Sequence, residues 1–402
     1  MKALSHPTNR AMFFGGFSCF ALLYCVQPLM PLLSHEFALT PAQSSLSLSI
    51  STAAMAITLV ASSAWSDRIG RKPLMVAALA IAAVMTLLCA LADSYGQLLA
   101  ARTLLGVALG GMPAVAMAYL GEEIEPEQLG LSMGLYISGS AFGGMMGRMA
   151  VSVLSDFYSW RVAMVGMGVA GVLAAVEFWR SLPESRRFRA SDAGWRALPD
   201  GMRRHFADDG LPWLFALAFL LMGCMVSAYN YIGYRLLAAP FELRQSVVGG
   251  ISLLYLLGIF SSVWAGKLAD RYGRKGVLYL VLGLMLAGIL LTLSASLPLV
   301  VAGMALFTFA FFAAHSMTSS WVGRRARVSG GQALASALYL FFYYLGSSVI
   351  GWAAGVLWAQ AGWGGVVGLL GSCLLAALAI ALHLRRLTPI APLLRQIKAE
   401  AS

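Results

Sequence analysis

The sequence predicts an all-α membrane protein with twelve transmembrane helices arranged as two six-helix bundles. Three observations carry this prediction: the composition, the length of the charge-free runs and an internal repeat. Of the 402 residues, 59% are hydrophobic and only 11% are charged, whereas a soluble domain has roughly 25% charged residues. The composition therefore excludes an ordinary soluble enzyme and indicates a chain that faces lipid over much of its surface.

Charge-free runs locate the spans, because a helix crosses the hydrocarbon core of the bilayer in roughly 20 residues. Eight spans are placed at residues 11–34, 37–66, 73–92, 103–121, 128–148, 162–179, 210–234 and 245–266. Two longer apolar runs follow, at 276–323 and 328–384. The two long runs must each fold back once, which raises the total to twelve. We predict the breaks at Ser294–Pro298 and Gln360–Gly364, where Gly, Pro and small polar residues interrupt the apolar pattern.

Lysine and arginine predict the orientation. With the N-terminus inside, 23 of the 28 basic residues fall in cytoplasmic segments, so both termini are expected in the cytoplasm. The same distribution explains the net charge of +11 without a nucleic-acid partner. The basic N-terminus followed by an apolar stretch also describes a secretory signal, but no small-residue cleavage site follows it, and we expect the first span to be retained.

An internal repeat relates the two halves. The segment Asp67–Lys72, D-R-I-G-R-K, recurs as Asp270–Lys275, D-R-Y-G-R-K, at an offset of 203 residues. The same offset aligns Leu135-Tyr136 with Leu338-Tyr339, and Gly143 with Gly346. Two six-helix halves in the same orientation imply parallel repeats related by a pseudo-twofold axis along the membrane normal, with a substrate site near the midplane between them.

A polar stretch separates the halves. It contains Pro, Gly, Asp and Arg without sustained apolar periodicity, apart from a short surface helix expected around Trp195–Phe206. We therefore predict an N-terminal bundle at 1–182, a cytoplasmic linker at 183–210 and a C-terminal bundle at 211–402. The five cysteines all lie in apolar segments at no metal-like spacing, so we expect free thiols, no metal site and no cofactor.

Over essentially its whole length the chain resembles the major facilitator superfamily. The two D-R-x-G-R-K loops carry the resemblance, together with L-L-A-A-R-T-L-L-G at Leu98–Gly106, the glycine pattern of the fifth span and Leu182–Ser185 after the sixth. It is most similar to the bacterial twelve-span drug:proton antiporters, in the arabinose-efflux-like or YnfM-like branch. Gly144 replaces the Pro of the fifth-span signature of that family, and Arg148 replaces its last Gly.

The resemblance implies a conformational latch at the repeated loops. In the superfamily this loop holds the two halves together on the cytoplasmic side when the transporter faces outward, in part through the start of the eleventh helix. The residues that match are Asp67, Arg68, Gly70, Arg71 and Lys72, with Asp270, Arg271, Gly273, Arg274 and Lys275 as the counterpart. The alternative is that these basic residues only anchor the orientation. In both loops the glycine is expected to permit a tight reversal.

Small residues line one face of the fifth span. Gly139, Gly143, Gly144 and Gly147 allow another helix to approach closely. In related antiporters this face seals against the eleventh helix, and the counterpart here contains Gly346, Ser347, Ser348 and Gly351.

Charged groups inside the membrane are candidates for function, because burying them there is costly. Arg102 and Arg148 are the two such arginines. Their alternatives are snorkelling outward, or bonding to Asp93, Asp156 or free carbonyl groups. No acidic residue lies in the middle of the first, fourth, seventh or tenth span. The candidates for proton binding are therefore Glu122 and Glu123 at the inner end of the fourth span, Glu177 in the sixth and His315 in the tenth. The alternatives are a helix-end acid that faces the headgroups for Glu177 and a buried, hydrogen-bonded histidine for His315.

Polar and aromatic residues of several spans suggest the chemistry of a pocket. The candidates are Tyr24, Gln27, Asn230, Tyr231, Tyr339 and Tyr343, together with Phe309, Phe311 and Phe312. An aromatic cavity with few fixed hydrogen bonds suits amphipathic compounds. Ordinary packing between helices is the alternative for any one of these side chains.

The expected function is secondary transport across the bacterial inner membrane by alternating access, with export of small hydrophobic or amphipathic compounds in exchange for protons. An alternative is a proton-coupled symporter or facilitator of a small organic anion, which Arg102 and Arg148 suggest. A membrane-embedded lipid enzyme is a third and remote alternative, because the sequence offers no paired carboxylates or metal cluster for such chemistry. The expected partners are a small-molecule substrate, protons as the coupling ion and membrane lipids, with the chain acting as a monomer.

Overall fold

The computed structural model describes residues 7–185, 193–272, 274–329 and 331–386, and this part of the chain is helical without strands. The helices are α1 (Pro7–Tyr24), α2 (Met30–Glu36), α3 (Pro41–Ile69), α4 (Arg71–Ala90), α5 (Tyr95–Leu109), α6 (Pro113–Glu123), α7 (Pro126–Phe157), α8 (Trp160–Ser181), α9 (Ala193–Phe206), α10 (Leu211–Leu237), α11 (Gln245–Gly249), α12 (Leu257–Tyr272), α13 (Arg274–Leu291), α14 (Leu297–Ser329) and α15 (Gln332–Arg386). Two 3₁₀ segments, Gln27–Leu29 and Gly250–Leu256, lie between α1 and α2 and between α11 and α12.

These helices form the twelve predicted spans. In the described residues, nine helical segments are long and apolar enough to cross a membrane, and α7 and α13 supply two more. The twelfth arises because α15 contains two spans, separated by non-helical backbone at Ala361 and Gly362. This break, and the gap between Leu291 and Leu297, confirm the two turns predicted from Gly, Pro and small polar residues.

Local sequence explains where the spans begin and end. The side chain of Thr40 accepts from the backbone N–H of Gln43 in a capping box at the start of α3. Ser94 and Ser159 cap α5 and α8 in the same position. Between α3 and α4 the chain reverses at Gly70, which has a φ of 106°, a conformation that favours glycine. The predicted reversal at Gly70 is thus confirmed, whereas Gly273 lies outside the described residues.

Three spans are interrupted inside the bundle. The first consists of α1 and α2, and α1 ends at Tyr24, four residues before Pro28, which has no N–H to continue the helical hydrogen bonds. The fourth consists of α5 and α6, with a turn that ends at Pro113. In the eighth, the seven residues Gly250–Leu256 are 3₁₀ helix, longer than most such segments. Irregular backbone at membrane depth is tolerated where protein buries it or where it lines a cavity.

Contacts between the halves concentrate at one end of the bundle. We name the end that carries Gly70 the basic side, and the end where α2 stops and α3 starts the opposite side. On the opposite side, the hydroxyl groups of Ser34 and Tyr234 are 2.7 Å apart, and Gln245 Nε2 donates to the carbonyl of Pro28 at 2.5 Å. Near the middle, the hydroxyls of Thr52 and Ser348 are 2.7 Å apart. These bonds hold the opposite side closed.

The helix predicted in the polar stretch is α9, and it packs against both halves. It contacts α3 of the first half and α10, α14 and α15 of the second. His205 Nε2 lies 3.1 Å from the carbonyl oxygen of Gly331, and the ring of Phe206 lies 6.1 Å from those of Phe215 and Phe342. The segment between the bundles is therefore attached to the basic side of the molecule.

Candidate functional site

Arg148 lies between the two halves and is the centre of the candidate site. It belongs to α7 and is only 3% exposed. Its Nε donates to Gln27 Oε1 at 2.5 Å, and its Nη1 donates to the carbonyl of Gly144 at 2.6 Å. The guanidinium carbon lies 4.2 Å from the ring centroid of Tyr24 and 4.7 Å from that of Tyr255. Two aromatic faces and two neutral oxygens thus surround a full positive charge.

No carboxylate of the described residues forms an ion pair with Arg148. Asp156, a partner considered from the sequence, instead accepts from the hydroxyl of Ser246 at 2.5 Å and pairs with Arg244 at 3.3 Å. For Arg148, outward snorkelling and pairing with Asp156 are wrong, and of the alternatives only a bond to a backbone carbonyl, that of Gly144, is present. The arginine is buried, and its charge is not neutralised by an acidic side chain of the described chain.

Gln27 connects Arg148 to the second half. It sits in the 3₁₀ segment that interrupts the first span, and its Nε2 donates to Asn230 Oδ1 at 2.6 Å and to the carbonyl of Val226 at 3.3 Å. Asn230 belongs to α10 and is 1% exposed. Tyr24, Gln27, Arg148, Asn230 and Tyr255 together form what we name the central cluster.

A small cavity adjoins the central cluster. Its volume is about 30 Å³, which is room for about one water molecule. The lining residues come from the first, fifth, seventh and eighth spans and are Gln27, Pro28, Pro31, Arg148, Tyr229, Asn230, Ile232, Gly233, Val248, Gly249, Ile251 and Ser252. In this conformation an organic molecule does not fit, so the halves must separate here before one can enter.

Arg102, the other intramembrane arginine, has a different environment. It is 0% exposed and donates to the backbone carbonyls of Ser47, Leu22 and Leu23 at 2.9, 3.0 and 2.6 Å. The last two carbonyls belong to the final turn of α1, where the helix ends and leaves acceptors unsatisfied. Of the alternatives given for Arg102, the structure therefore supports bonding to free carbonyl groups. Asp93 is not its partner, and Arg102 braces α1 against α3 and α5.

The first of the two predicted latch loops is bound to its own half and to the segment that follows the sixth span. Arg71 pairs with Asp67 and with Glu122, each at 2.7 Å, and it also donates to the hydroxyl of Ser66. Lys72 pairs with Glu184 at 2.9 Å. Arg68 is exposed at the end of α3. In the described residues the carboxylate of Asp67 meets Arg71 and not the start of the eleventh span.

The second latch loop is described only in part. Arg271 is exposed and its guanidinium lies 5.2 Å from the ring of Tyr272. Gly273 and the side chains of Asp270, Arg274 and Lys275 lie outside the described residues. The role of this loop as a counterpart stays a prediction.

The glycine face of the fifth span packs against the first span. A Cβ at Gly139 or Gly143 would overlap the carbonyl oxygen of Phe13 or Phe17, and one at Gly147 would lie 2.8 Å from the Cα of Ala21. The eleventh helix was the expected partner, and this expectation is wrong in this conformation, because the three glycines touch the backbone of α1. Gly144 faces elsewhere, toward Arg148.

The second half repeats this arrangement. Gly346, the equivalent of Gly143 in the eleventh span, lies so close to α10 that a Cβ would overlap the carbonyl oxygen of Phe219. Gly143 and Gly346 thus each join two helices of the same bundle, whereas Ser348, on the small-residue face of the eleventh span, contacts Thr52 of the first half.

The predicted aromatic residues of the second half form two groups. His315 Nδ1 lies 2.8 Å from the hydroxyl of Tyr339, and the ring of Tyr343 lies 4.9 Å from the imidazole. Phe311 stacks on the same imidazole at 5.9 Å. Tyr231 stands apart from them, since it donates to the carbonyl of Gly351 at 2.8 Å and joins α10 to α15.

Of the remaining predicted residues, only Phe312 contacts the central cluster in the part of the chain that the structure describes. Glu122 pairs with Arg71 on the basic side, and Glu123 ends α6 beside it. Phe309 contacts Trp264 at 5.3 Å, and Phe312 contacts Tyr255 at 5.5 Å. The structure thus brings together Tyr24, Gln27, Arg148 and Asn230, but not the two glutamates.

Two residues of the site were not singled out from the sequence. Tyr255 covers Arg148 from the 3₁₀ segment of the eighth span, and Gln245 bonds to Pro28 across the halves. Neither residue belongs to a sequence motif, and only the tertiary fold brings the two residues to the site. The pairing of Gln27 with Asn230 did have a signal, because the two residues are separated by 203 positions, the offset of the repeat.

Comparison with known proteins identifies the family. The family model described as Major Facilitator Superfamily matches residues 12–331. The chain belongs to the major facilitator superfamily. Within the superfamily it is 50% identical over 376 residues to the inner membrane transport protein YnfM of Escherichia coli (strain K12), which covers 94% of this chain and 90% of YnfM.

Other members of the superfamily agree with this result. The MFS-type transporter YybF of Bacillus subtilis (strain 168) is 44% identical over 376 residues, covering 94% of this chain and 93% of YybF. A crystal structure of a mutant nucleoside transporter, NupG, matches with a TM-score of 0.76 at 15% identity, over 94% of this chain and 99% of that one. The protein is therefore a multi-pass transporter of the inner-membrane type and not an enzyme.

Proposed function

We propose that this transporter carries a small organic anion, with Arg148 as the positive charge that attracts the carboxylate of the substrate. The observation that supports the proposal is the burial of Arg148 between the halves without an acidic partner in the described residues. A buried charge without an opposite charge is costly. An anionic substrate would supply the missing negative charge when it binds.

Alternating access would expose the site to one side at a time. The hydrogen bonds between the halves close the opposite side, which supports a conformation that opens toward the basic side. The distribution of Lys and Arg assigns that side to the cytoplasm. In this proposal the units 1–182 and 211–402 rock about the central cluster, 183–210 connects them, and the two D-R-x-G-R-K loops close the cytoplasmic side in the alternate state.

The proposal includes protons as the coupling ion. No described carboxylate lies in the middle of a membrane-spanning helix, so His315 is the candidate that binds the proton, with Tyr339 as its hydrogen-bond partner. Imidazole is the side chain whose charge ordinarily changes near neutral pH. The other partners are the membrane lipids, and the chain is proposed to act as a monomer.

A second candidate function is proton-coupled efflux of small hydrophobic or amphipathic compounds. Its support is the aromatic group around His315, in which Phe311, Tyr339 and Tyr343 offer rings and few hydrogen-bonding atoms. Such a surface suits uncharged ligands. The two candidates differ in whether the ligand must carry a negative charge.

Counterflow in proteoliposomes tests this difference. The probes are three carboxylates, benzoate, lactate and succinate, each compared with its uncharged amide. We expect wild type to transport at least one carboxylate and not the matching amide. Arg148→Gln should lower its transport at subsaturating concentration by at least about thirtyfold, because the charge that holds the anion is removed. Arg161→Gln is the matched control, since Arg161 pairs with Glu36 at the opposite side, away from the site.

Equal transport of a carboxylate and its amide would contradict the proposal, and so would an Arg148→Gln variant with wild-type rates. Transport of uncharged aromatic compounds with proton release, and of none of the three carboxylates, would favour the efflux candidate instead.

A further inference from the structure

The hydrogen-bonded chain from Arg148 through Gln27 to Asn230 has a direction. Arginine can only donate hydrogen bonds, so the atom of Gln27 that Arg148 contacts at 2.5 Å must be the amide oxygen. The amide nitrogen of Gln27 then faces the carbonyl of Val226 and the side chain of Asn230. The arginine thereby fixes an orientation that heavy-atom positions alone leave ambiguous.

The same reasoning fixes Asn230. Because Gln27 donates to it at 2.6 Å, Asn230 must present its oxygen to Gln27, and its nitrogen is turned away. That nitrogen, Nδ2, is buried and finds no acceptor in the part of the chain that the structure describes. A buried donor without an acceptor is destabilising and uncommon in folded proteins. The chain of three residues thus ends in an N–H group that remains available.

Arg148 and Asn230 belong to opposite halves and line the same cavity, whereas Asn230 Nδ2 itself is turned toward the eleventh span, 3.5 Å from the position that a Cβ would take at Gly351. Arg148 comes from the fifth span and Asn230 from the seventh, and both line the cavity of about 30 Å³ next to the central cluster. Every hydrogen bond that Arg148 makes in the described residues goes to a neutral acceptor. One cavity is therefore lined by a cation and by a residue with an unused amide N–H group. Separation of the halves breaks the bond between Gln27 and Asn230, which frees this amide to turn toward the cavity.

We propose that Asn230 Nδ2 donates to the same carboxylate that Arg148 attracts. This inference rests on the proposed function and deepens it, because it assigns a second binding residue and a geometry. A carboxylate has two oxygens, and one would face Arg148 of the first half while the other faces Asn230 of the second. The substrate class is then an anion with a planar carboxylate, and the bound anion joins the two halves.

The inference explains why the donors come from different halves. In the closed conformation Gln27 and Asn230 already join the halves through one hydrogen bond. An anion held by Arg148 and Asn230 would replace that connection when the cavity widens, so that the halves stay coupled through the ligand. An uncharged amide has a single oxygen and no negative charge, and it should therefore not couple the halves.

The test measures the dissociation constants of benzoate, lactate and succinate with purified full-length protein in detergent, by ligand-induced thermal shift and calorimetry. Two variants remove the donor with different volumes, Asn230→Ala and Asn230→Met, so that a folding defect in one does not decide the result. We expect each to weaken binding of the recognised carboxylate by about tenfold to a hundredfold, as for the loss of a hydrogen bond to a charged group.

Tyr234→Phe is the matched control. Tyr234 also joins the halves, through Ser34 and at the opposite side, but it does not line the cavity. We expect this variant to bind the carboxylate within twofold of wild type, which separates the loss of a ligand donor from the loss of a bond between the halves.

The outcomes separate this inference from the proposed function. If Arg148→Gln loses carboxylate binding while Asn230→Ala and Asn230→Met keep it within twofold, Asn230 is not a ligand and the proposed function stands. If Tyr234→Phe weakens binding as much as the Asn230 variants do, the effect is one of coupling between the halves and the inference is overturned. If wild type binds none of the three carboxylates, both proposals fall.

Discussion

Glu122 and Arg325 occupy equivalent positions in the two halves, 203 residues apart, yet carry opposite charges. Glu122 accepts two hydrogen bonds from Arg71 and ties the D-R-I-G-R-K loop to α6. Arg325 instead pairs with Asp208, in the segment that leads from α9 into α10. The first half therefore anchors its own loop, whereas the second half anchors the connection between the halves.

The Asp208–Arg325 pair should stabilise the attachment of the linker. Both side chains are less than one-fifth exposed, and Asp208 also caps α10 through the N–H groups of Gly210 and Leu211. Asp208→Asn keeps an oxygen for the cap but removes the charge. We expect a double-mutant cycle with Arg325→Gln to give a coupling energy of about 1–3 kcal/mol, measured by thermal unfolding in detergent. Additive effects of the two substitutions would show that the pair contributes nothing.

The two buried arginines should respond in opposite ways to the same substitution. Arg102→Met leaves the carbonyl of Leu23 without its donor and that of Leu22 with the Cys25 thiol alone. The melting temperature should therefore fall by several degrees, as for loss of about 1–3 kcal/mol. Arg148→Met removes a buried charge that has no acidic partner in the described residues, and should leave the melting temperature unchanged or raise it while abolishing anion binding. A large loss of stability in Arg148→Met would mean that this arginine is structural.

Neighbouring glycines of the fifth span should tolerate alanine differently. Gly143→Ala places a methyl group onto the carbonyl oxygen of Phe17, so we expect poor folding, measured as a loss of monodisperse protein. At Gly144 the new methyl lies 3.2 Å from Arg148 Nη1, so Gly144→Ala should fold but bind the anion more weakly. Gly134→Ala is the control, because nothing lies within 4 Å of its Cβ position. Similar behaviour of the Gly143 and Gly134 variants would contradict the packing described above.

Acid should weaken the docking of α9. Burial of His205 lowers the pKa of its imidazole below the ordinary value of about 6.5, although the hydrogen bond to Gly331 acts in the opposite direction. The imidazole therefore binds a proton more readily when α9 is undocked. The stability that docked His205 contributes is complete above pH of about 6.5 and is lost as the pH falls below it. Between pH 7.5 and 5, the melting temperature of wild type should fall more than that of His205→Gln. Arg204 and Asp208 flank the imidazole. If the melting temperatures of wild type and His205→Gln fall equally with pH, the effect belongs to these two residues or to other groups.

The sequence predicted the spans and their ends well, because these depend on local chemistry. Charge-free runs predict which segments enter lipid, and Gly, Pro and small polar residues predict where long runs turn, as at Gly362. The reversal at Gly70 and the helix that ends at Phe206 were predicted for the same reason. Each of these features is decided within a few residues of the chain.

The site could be predicted only in part, because its chemistry depends on contacts between distant residues. In the sequence Arg102 and Arg148 look alike, since each is a lone arginine in an apolar span. Their difference arises because the early end of α1 leaves carbonyl groups beside Arg102, while Arg148 meets only one carbonyl, an amide and aromatic rings. Likewise, the glycines predict close packing of the fifth span but not which helix it meets.

The interruption of the first span has a consequence for how the opposite side of the molecule opens. α2 is a lever of seven residues, joined to α1 by a single 3₁₀ turn, and its own half holds it where the hydroxyl of Ser44 donates to the carbonyl of Met30. Movement of α2 about this turn would break the bond between Ser34 and Tyr234, while the bond of Gln245 to Pro28 lies in the 3₁₀ turn itself. The opposite side of the molecule therefore has a candidate hinge of its own at this 3₁₀ turn, separate from the movement of the halves that we propose.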